Sequence, residues 1–207
     1  MLGKMLVKRA GCLEKKRSMF YTSVTLKNDI TSHQNYNLSI STTMARRVFF
    51  SFHYQRDIFR VSQVRNSGIT KGTFNQSGFI DHADWESLER QGDEAIKRWI
   101  NGQLNGASVT VVLIGAETFD RPWVNYEIEK SHSDGKGLLG IHIHQLKDPR
   151  TGLPSIKGRN PFEHFYIADS NPRRYLSELY PVYDWVADNG YANFANWVEA
   201  AARRAGK

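Results

Sequence analysis

The chain is expected to fold as an α/β domain with a mostly parallel sheet covered by helices on both faces. Three observations predict this. Strand-like and helix-like segments alternate from Met44 onward, which implies βαβ crossovers. Two of the strand-like segments are continuous apolar runs rather than alternating ones, as expected of strands buried on both faces. At 207 residues, 40% of them hydrophobic, the chain has material for one domain with a full core.

In order along the chain, residues 1–43 are rich in Ser, Thr, Asn and Lys and show no sustained period, so they read as a disordered basic leader. The apolar pattern then starts abruptly in "MARRVFFSFHYQRD", and the domain is taken as residues 44–207. A misplaced start, with translation beginning at Met44, is favoured over an organelle-targeting leader. "RVFFSF" (Arg47 to Phe52) is the first buried strand. "RDIFRVSQVRNSG" follows as a helix with Ile58, Phe59 and Val61 apolar, ending near Gly68. "GFID" (Gly78 to Asp81) is a short strand candidate. "GDEAIKRWINGQLNG" carries Ala95, Ile96, Trp99, Ile100 and Leu104 on one stripe, with Asp93 as candidate N-cap and Gly106 at the exit. "SVTVVLIG" (Ser108 to Gly115) is the clearest buried strand.

The next helix, in "AETFDRPWVNYEIEKS", opens after Asp120 or Arg121, with Pro122 suited to its first turn. "GLLGIHIH" (Gly137 to His144) is a further strand, and a loop rich in Pro, Gly and Lys covers roughly 146–162. "PVYDWV" (Pro181 to Val186) is the last strand candidate, and Ala192 to Gly206 form an amphipathic terminal helix.

Composition limits the function. The formal net charge is +7, but residues 1–43 hold seven Lys/Arg against Glu14 and Asp29, which leaves +2 on residues 44–207. A basic phosphate-tracking face is therefore not a property of the fold, and no nucleic-acid partner is expected. No run approaches the roughly 18 apolar residues that span a bilayer, so no membrane partner is expected either. The single cysteine, Cys12, excludes an intrachain disulfide and suits a reducing cytoplasm. No Cys/His spacing suggests a metal, and the alternating His142 and His144 are read as structural. "LIGAET" lacks a glycine-rich phosphate cradle.

In open parallel sheets, ligands bind at the carboxyl ends of the strands. That rule points to Ser51 through His53, to Asp81 and to the segment after Gly115. His53 either touches substrate or is a loop histidine that packs. Asp81 either binds a ribose hydroxyl or caps the helix that follows. In the helix after Pro122, Val124 and Ile128 face the sheet, while Trp123 and Glu127 share a neighbouring stripe at the rim of the core. Two readings of that stripe follow. Either Glu127 pairs with Lys130 on a solvated face, which periodicity alone favours, or it is held in a pocket.

These residues carry a resemblance. "VFFSFHYQRD" resembles the opening strand and loop of TIR domains, a Phe-x-Ser-aromatic step followed shortly by an acid, here Asp57. "WVNYE" resembles the Trp-x-x-x-Glu helix of the enzymatic TIR proteins. The run "INGQLNGASVTVVLIGAETFDRPWVNYEIEKS" is similar to the TIR-like ThsB proteins of the Thoeris antiphage system, and the likeness spans roughly Met44 to Phe165. It implies a flavodoxin-like sheet and an enzyme that cleaves the nicotinamide–ribose bond of NAD, with NAD as substrate and no further cofactor. It also implies a cyclic ADP-ribose-type signal acting on a separate effector, and a capacity for self-assembly.

Carried over by position, the resemblance makes Glu127 the catalytic carboxylate and Trp123 its aromatic neighbour, with Ser51, Phe52, His53 and Asp81 around the nucleotide. Residues 66–77 and 145–180 depart from the family pattern, which leaves substrate orientation and product identity open. Two other classes stay in view. One is a non-catalytic TIR-like adaptor; the other is a different flavodoxin-like enzyme of N-glycosidic bonds, such as a nucleoside deoxyribosyltransferase.

Overall fold

The computed structural model describes residues 7–9, 22–25, 46–67 and 82–207. The strands and helices are β1 (Val7–Arg9), β2 (Thr22–Thr25), β3 (Arg47–Ser51), α1 (Tyr54–Arg65), α2 (His82–Arg90), α3 (Asp93–Leu104), β4 (Val109–Ile114), α4 (Pro122–Ser133), β5 (Gly137–His142), β6 (Phe165–Ile167), α5 (Leu176–Leu179), β7 (Val182–Asp184) and α6 (Gly190–Arg204). Short 3-10 turns occupy Thr118–Asp120 and Pro161–His164.

The main sheet has the order β2-β3-β4-β5-β7, in which β3, β4, β5 and β7 run parallel and β2 joins one edge antiparallel. Strands β4 and β5 are buried at every position, which is why they read as uninterrupted apolar runs. On one face Phe50 stacks on Phe194 of α6, and a Cβ at Gly137 would collide with the backbone of Ala201, so α6 lies against the sheet. On the other face Thr110 and Ser131 share a hydrogen bond of 2.8 Å that ties α4 to β4, while Tyr126 donates to Asn101 Oδ1 at 3.1 Å and links α4 to α3. Val124 and Ile128 are fully covered, as the stripe requires. The resulting doubly covered sheet is the flavodoxin-like, TIR-like architecture that the sequence predicts.

Several boundaries differ from expectation for identifiable reasons. Inside residues 1–43, β1 pairs antiparallel with β6 and β2 with β3, which corrects the expectation of a leader without regular structure at those positions. The Thr-Ser-Val-Thr run of β2 is β-prone and meets the open edge of β3. Helix α1 starts at Tyr54 and buries Asp57 and Arg60, whereas Phe59, expected on the apolar face, is 37% exposed beneath the Arg150 guanidinium at 4.3 Å. At α3 the N-cap is Gly92, at φ 86°, so Asp93 lies in the first turn rather than before it. The "GFID" segment and Asp81 lie outside the described residues. Among the described residues no helix is long and apolar enough to cross a membrane.

The long connection after β5 is tied back onto α1. Arg60 donates from Nε to the Leu146 carbonyl at 2.9 Å and from an Nη to that of Leu153 at 3.3 Å, and Gln63 donates to the Lys147 carbonyl at 2.8 Å. Further on, a Cβ at Gly158 would run into the Gly115 carbonyl oxygen, so only glycine lets this strand of loop cross the end of β4.

Candidate active site

Register sets the side chains that share the α4 face. Thr110 bonds to Ser131 on that face, and in a strand every second residue points the same way, so Val112 and Ile114 do too. Ser51 pairs with Val112, and Val112 with Gly140, so these positions form one row across the sheet. Helix α4 returns antiparallel to β4, as a βαβ crossover demands. Glu127 stands one turn before Ser131, about 6 Å back along the helix axis. That climb matches the step of about 6.6 Å from Thr110 to Val112. Glu127 therefore sits on the same face and at the same level as Ser51.

Both are fully buried, and Ser51 Oγ has no hydrogen-bond partner among the described residues. The solvated reading of Glu127 is thereby corrected. Lys130 pairs instead with Asp134, one turn further along the exposed side of α4.

One step up the sheet is a second row, with His53 in extended backbone just beyond β3, Ile114 at the end of β4, and His142 at the end of β5. Burial pushes both histidines down to about 4, with the Arg121 guanidinium also lowering His53 and Lys157 also lowering His142. They are neutral imidazoles at neutral pH. His144 lies past the end of β5, 3.5 Å from Asp184. No group of three or more His, Cys, Asp or Glu among the described residues is placed to hold a metal ion.

The other residues expected at the site divide. Phe52 is buried but tilts against Tyr54 with ring centroids 6.4 Å apart, and alternation sends it to the face opposite Ser51. Trp123 is half-buried and meets Tyr126 edge-on at 6.2 Å, on the side of α4 that faces α3. Asp81 lies outside the described residues.

Four charged residues that periodicity does not single out complete this edge. The Asp57 carboxyl, in the first turn of α1, packs so closely on Gly115 that a Cβ there would collide with it. Burial pushes it up to about 6, against the opposing pull of Arg60 and Arg56. Two residues after Gly115, Glu117 receives hydrogen bonds from both Arg56 and Arg121, and its carboxylate lies 3.9 Å from His53 Nδ1. The strand-end rule points to this segment, but the partners of Glu117 come from α1 and from the start of α4, and only the fold brings those together. The edge thus offers neutral nitrogen and hydroxyl groups, buried carboxyl groups and two guanidiniums beside one another.

The profile of the TIR-like domain of the Thoeris protein ThsB matches residues 49–148, the segment from β3 through α4 to the first turn after β5. The chain is also 43% identical, over 192 residues, to a Bacillus cereus (strain MSX-D12) protein named "Putative cyclic ADP-D-ribose synthase ThsB1". That alignment covers 75% of this chain and 100% of the relative. On these two matches, the chain belongs to the ThsB family of TIR-like proteins.

Proposed function

We propose that this protein cleaves the nicotinamide–ribose bond of NAD and closes the remaining ADP-ribose into a cyclic product, with Glu127 as the catalytic carboxylate. The observation that carries the proposal is the complete burial of Glu127 on the sheet face and level that Ser51 occupies. The name of the Bacillus cereus relative, "Putative cyclic ADP-D-ribose synthase ThsB1", supports the same chemistry.

One carboxylate is sufficient for this bond. Glycoside hydrolysis generally uses two, because the leaving oxygen must be protonated while the opposite face is attacked. Nicotinamide departs from NAD as a neutral base, taking the bonding electron pair onto its own ring nitrogen. No general acid is required. What the site must supply is stabilisation of the oxocarbenium-like ribose, and a carboxylate shielded from water is most effective there. Ser51 Oγ, buried at the same level without a partner among the described residues, offers a hydroxyl to the ribose. His53 lines the rim as a neutral imidazole, and Trp123 offers an aromatic wall to the base or the pyridinium.

Cyclisation needs an adenine nitrogen or a ribose hydroxyl to capture the cation in place of water, with loss of one proton. A closed site that folds the substrate back on itself favours this internal capture. The product then acts as a signal on a separate effector in antiphage defence.

The test is release of nicotinamide from NAD by protein isolated from phage-challenged cells. Glu127→Gln keeps the side-chain volume and should lower the rate at least a hundredfold, in the range of a lost electrostatic stabiliser, with an unchanged circular dichroism spectrum. A folded Gln variant that cleaves NAD at the parent rate rules out the assignment.

A further inference from the structure

We propose that Arg56 and Arg121 form the subsite for the diphosphate bridge of the substrate, and that in the resting protein Glu117 fills this subsite as a tethered anion. The inference rests on the NAD reading above and adds to it a binding site and its occupant.

The two guanidiniums come from different elements. Arg56 lies in the first turn of α1 and Arg121 is the N-cap of α4. Both helices start at the carboxyl edge of the sheet, and each is 12 residues long, so their positive ends open toward the same place. The two side chains converge on a single carboxylate, that of Glu117. Arg121 is held a second time, from Nε to the Glu117 carbonyl at 3.2 Å, so its orientation persists if the carboxylate leaves. His53 stands 3.9 Å from the same carboxylate and, being neutral, contributes no charge of its own. Asp57, a further acid at this edge, is fully covered, hydrogen-bonds to neither guanidinium and lies 3.7 Å from Arg60, whose charge offsets it, although Arg56 and Arg121 also act on it through space.

Two cations facing one anion leave an excess positive charge. A diphosphate bridge carries two negative charges and presents paired oxygens to planar guanidinium forks, so it matches the pair better than one carboxylate does. Glu117 is also suited to leave. Its side chain is 41% exposed, and an ion pair at such a position contributes little to folding. Its carboxylate therefore competes with the substrate's phosphates for the same donors, which holds the resting protein at low affinity until Glu117 swings into solvent.

The experiment is calorimetric titration of the full chain with inorganic pyrophosphate, which reads the pair without any cleavage. Glu117→Gln should bind pyrophosphate about tenfold more tightly than the parent. Arg56→Gln and Arg121→Gln, placed in the Glu117→Gln background, should each weaken that binding about tenfold, and Arg56→Lys should restore only part of it, since an ammonium lacks the fork. Melting curves establish that each variant is folded. The proposal is overturned if Glu117→Gln binds pyrophosphate no more tightly than the parent, or if the arginine variants bind it as well as their background. Nicotinamide release by the Glu127→Gln variant is independent of this result, so failure of the anion site and failure of the catalytic assignment are separately visible.

Discussion

Asp57 shows how a single residue ties the sheet edge to pH. Its carboxyl is pushed from 3.8 up to about 6 by burial, so between those values the folded state holds the proton more tightly than the unfolded chain does. Stability falls as pH rises through that window, by about 3 kcal/mol for a displacement of this size. His53 and His142 act in the opposite direction. Both are pushed from 6.5 down to about 4, so the unfolded chain takes up their protons first and stability falls as pH drops through that range. Two histidines outweigh one acid, and the parent should lose stability overall between pH 6.5 and 4.

Two variants separate the contributions in urea unfolding. Relative to the parent, Asp57→Asn should gain about 3 kcal/mol between pH 4 and pH 8, whatever its constant cost. His142→Gln should flatten the acid loss. A parallel pH profile for Asp57→Asn would mean that the Asp57 carboxyl titrates normally. At this scale the sequence was only partly legible. The four-residue spacing put Glu127 at the rim of the core, but a spacing cannot tell a rim position from a buried one. The choice was made by the closeness of α4 to β4, seen in the Thr110–Ser131 bond. Arg56 and Glu117 are sixty-one positions apart and carry no joint signal until α1 and the end of β4 meet.

At the scale of elements, residues 146–153 of the connection between β5 and β6 are held by α1, while the end of that connection is anchored in the core through Phe162. Arg60 is nearly buried and caps the Leu146 and Leu153 carbonyls, while Asp148 and Arg150 form a local pair that closes the turn. Arg60→Gln removes the charged donor and should cost about 1.5–3 kcal/mol. It should also make the segment around 146–153 the first site of limited proteolysis. Unchanged melting and an unchanged cleavage pattern would show that the loop holds without Arg60.

Strands β3, β4 and β5 were legible because burial on both faces leaves an uninterrupted apolar run. Strands β1, β2 and β6 were not, since three or four residues at an edge carry no period and owe their pairing to the partner strand. The helix after β3 was legible as a helix and in its buried Val61, but Asp57 and Arg60 were not legible on its covered face, where a hydrophobic count looks for Phe59.

For the whole molecule, the hydrophobic cluster runs from Val48 to Ala202 and includes residues from β3, β4 and β5 and from helices on both faces, with Val182 and Tyr183 of β7 packed against it. We expect residues 44–207 to fold by themselves. Removing residues 1–43 takes away β2 and opens the edge of β3, at a cost of about 1–2 kcal/mol, seen as a melting temperature lower by about 2–8 °C, and a greater tendency to associate. A truncated chain without a cooperative transition would make the first segment part of the core.

Whether this fold cleaves NAD and closes the product on itself is read from the mass of what is formed. Protein isolated from phage-challenged cells and incubated with NAD should yield free nicotinamide and a product one water lighter than linear ADP-ribose, both absent with Glu127→Gln. Linear ADP-ribose alone would contradict the cyclisation, and intact NAD under the same conditions would contradict NAD cleavage by this fold altogether.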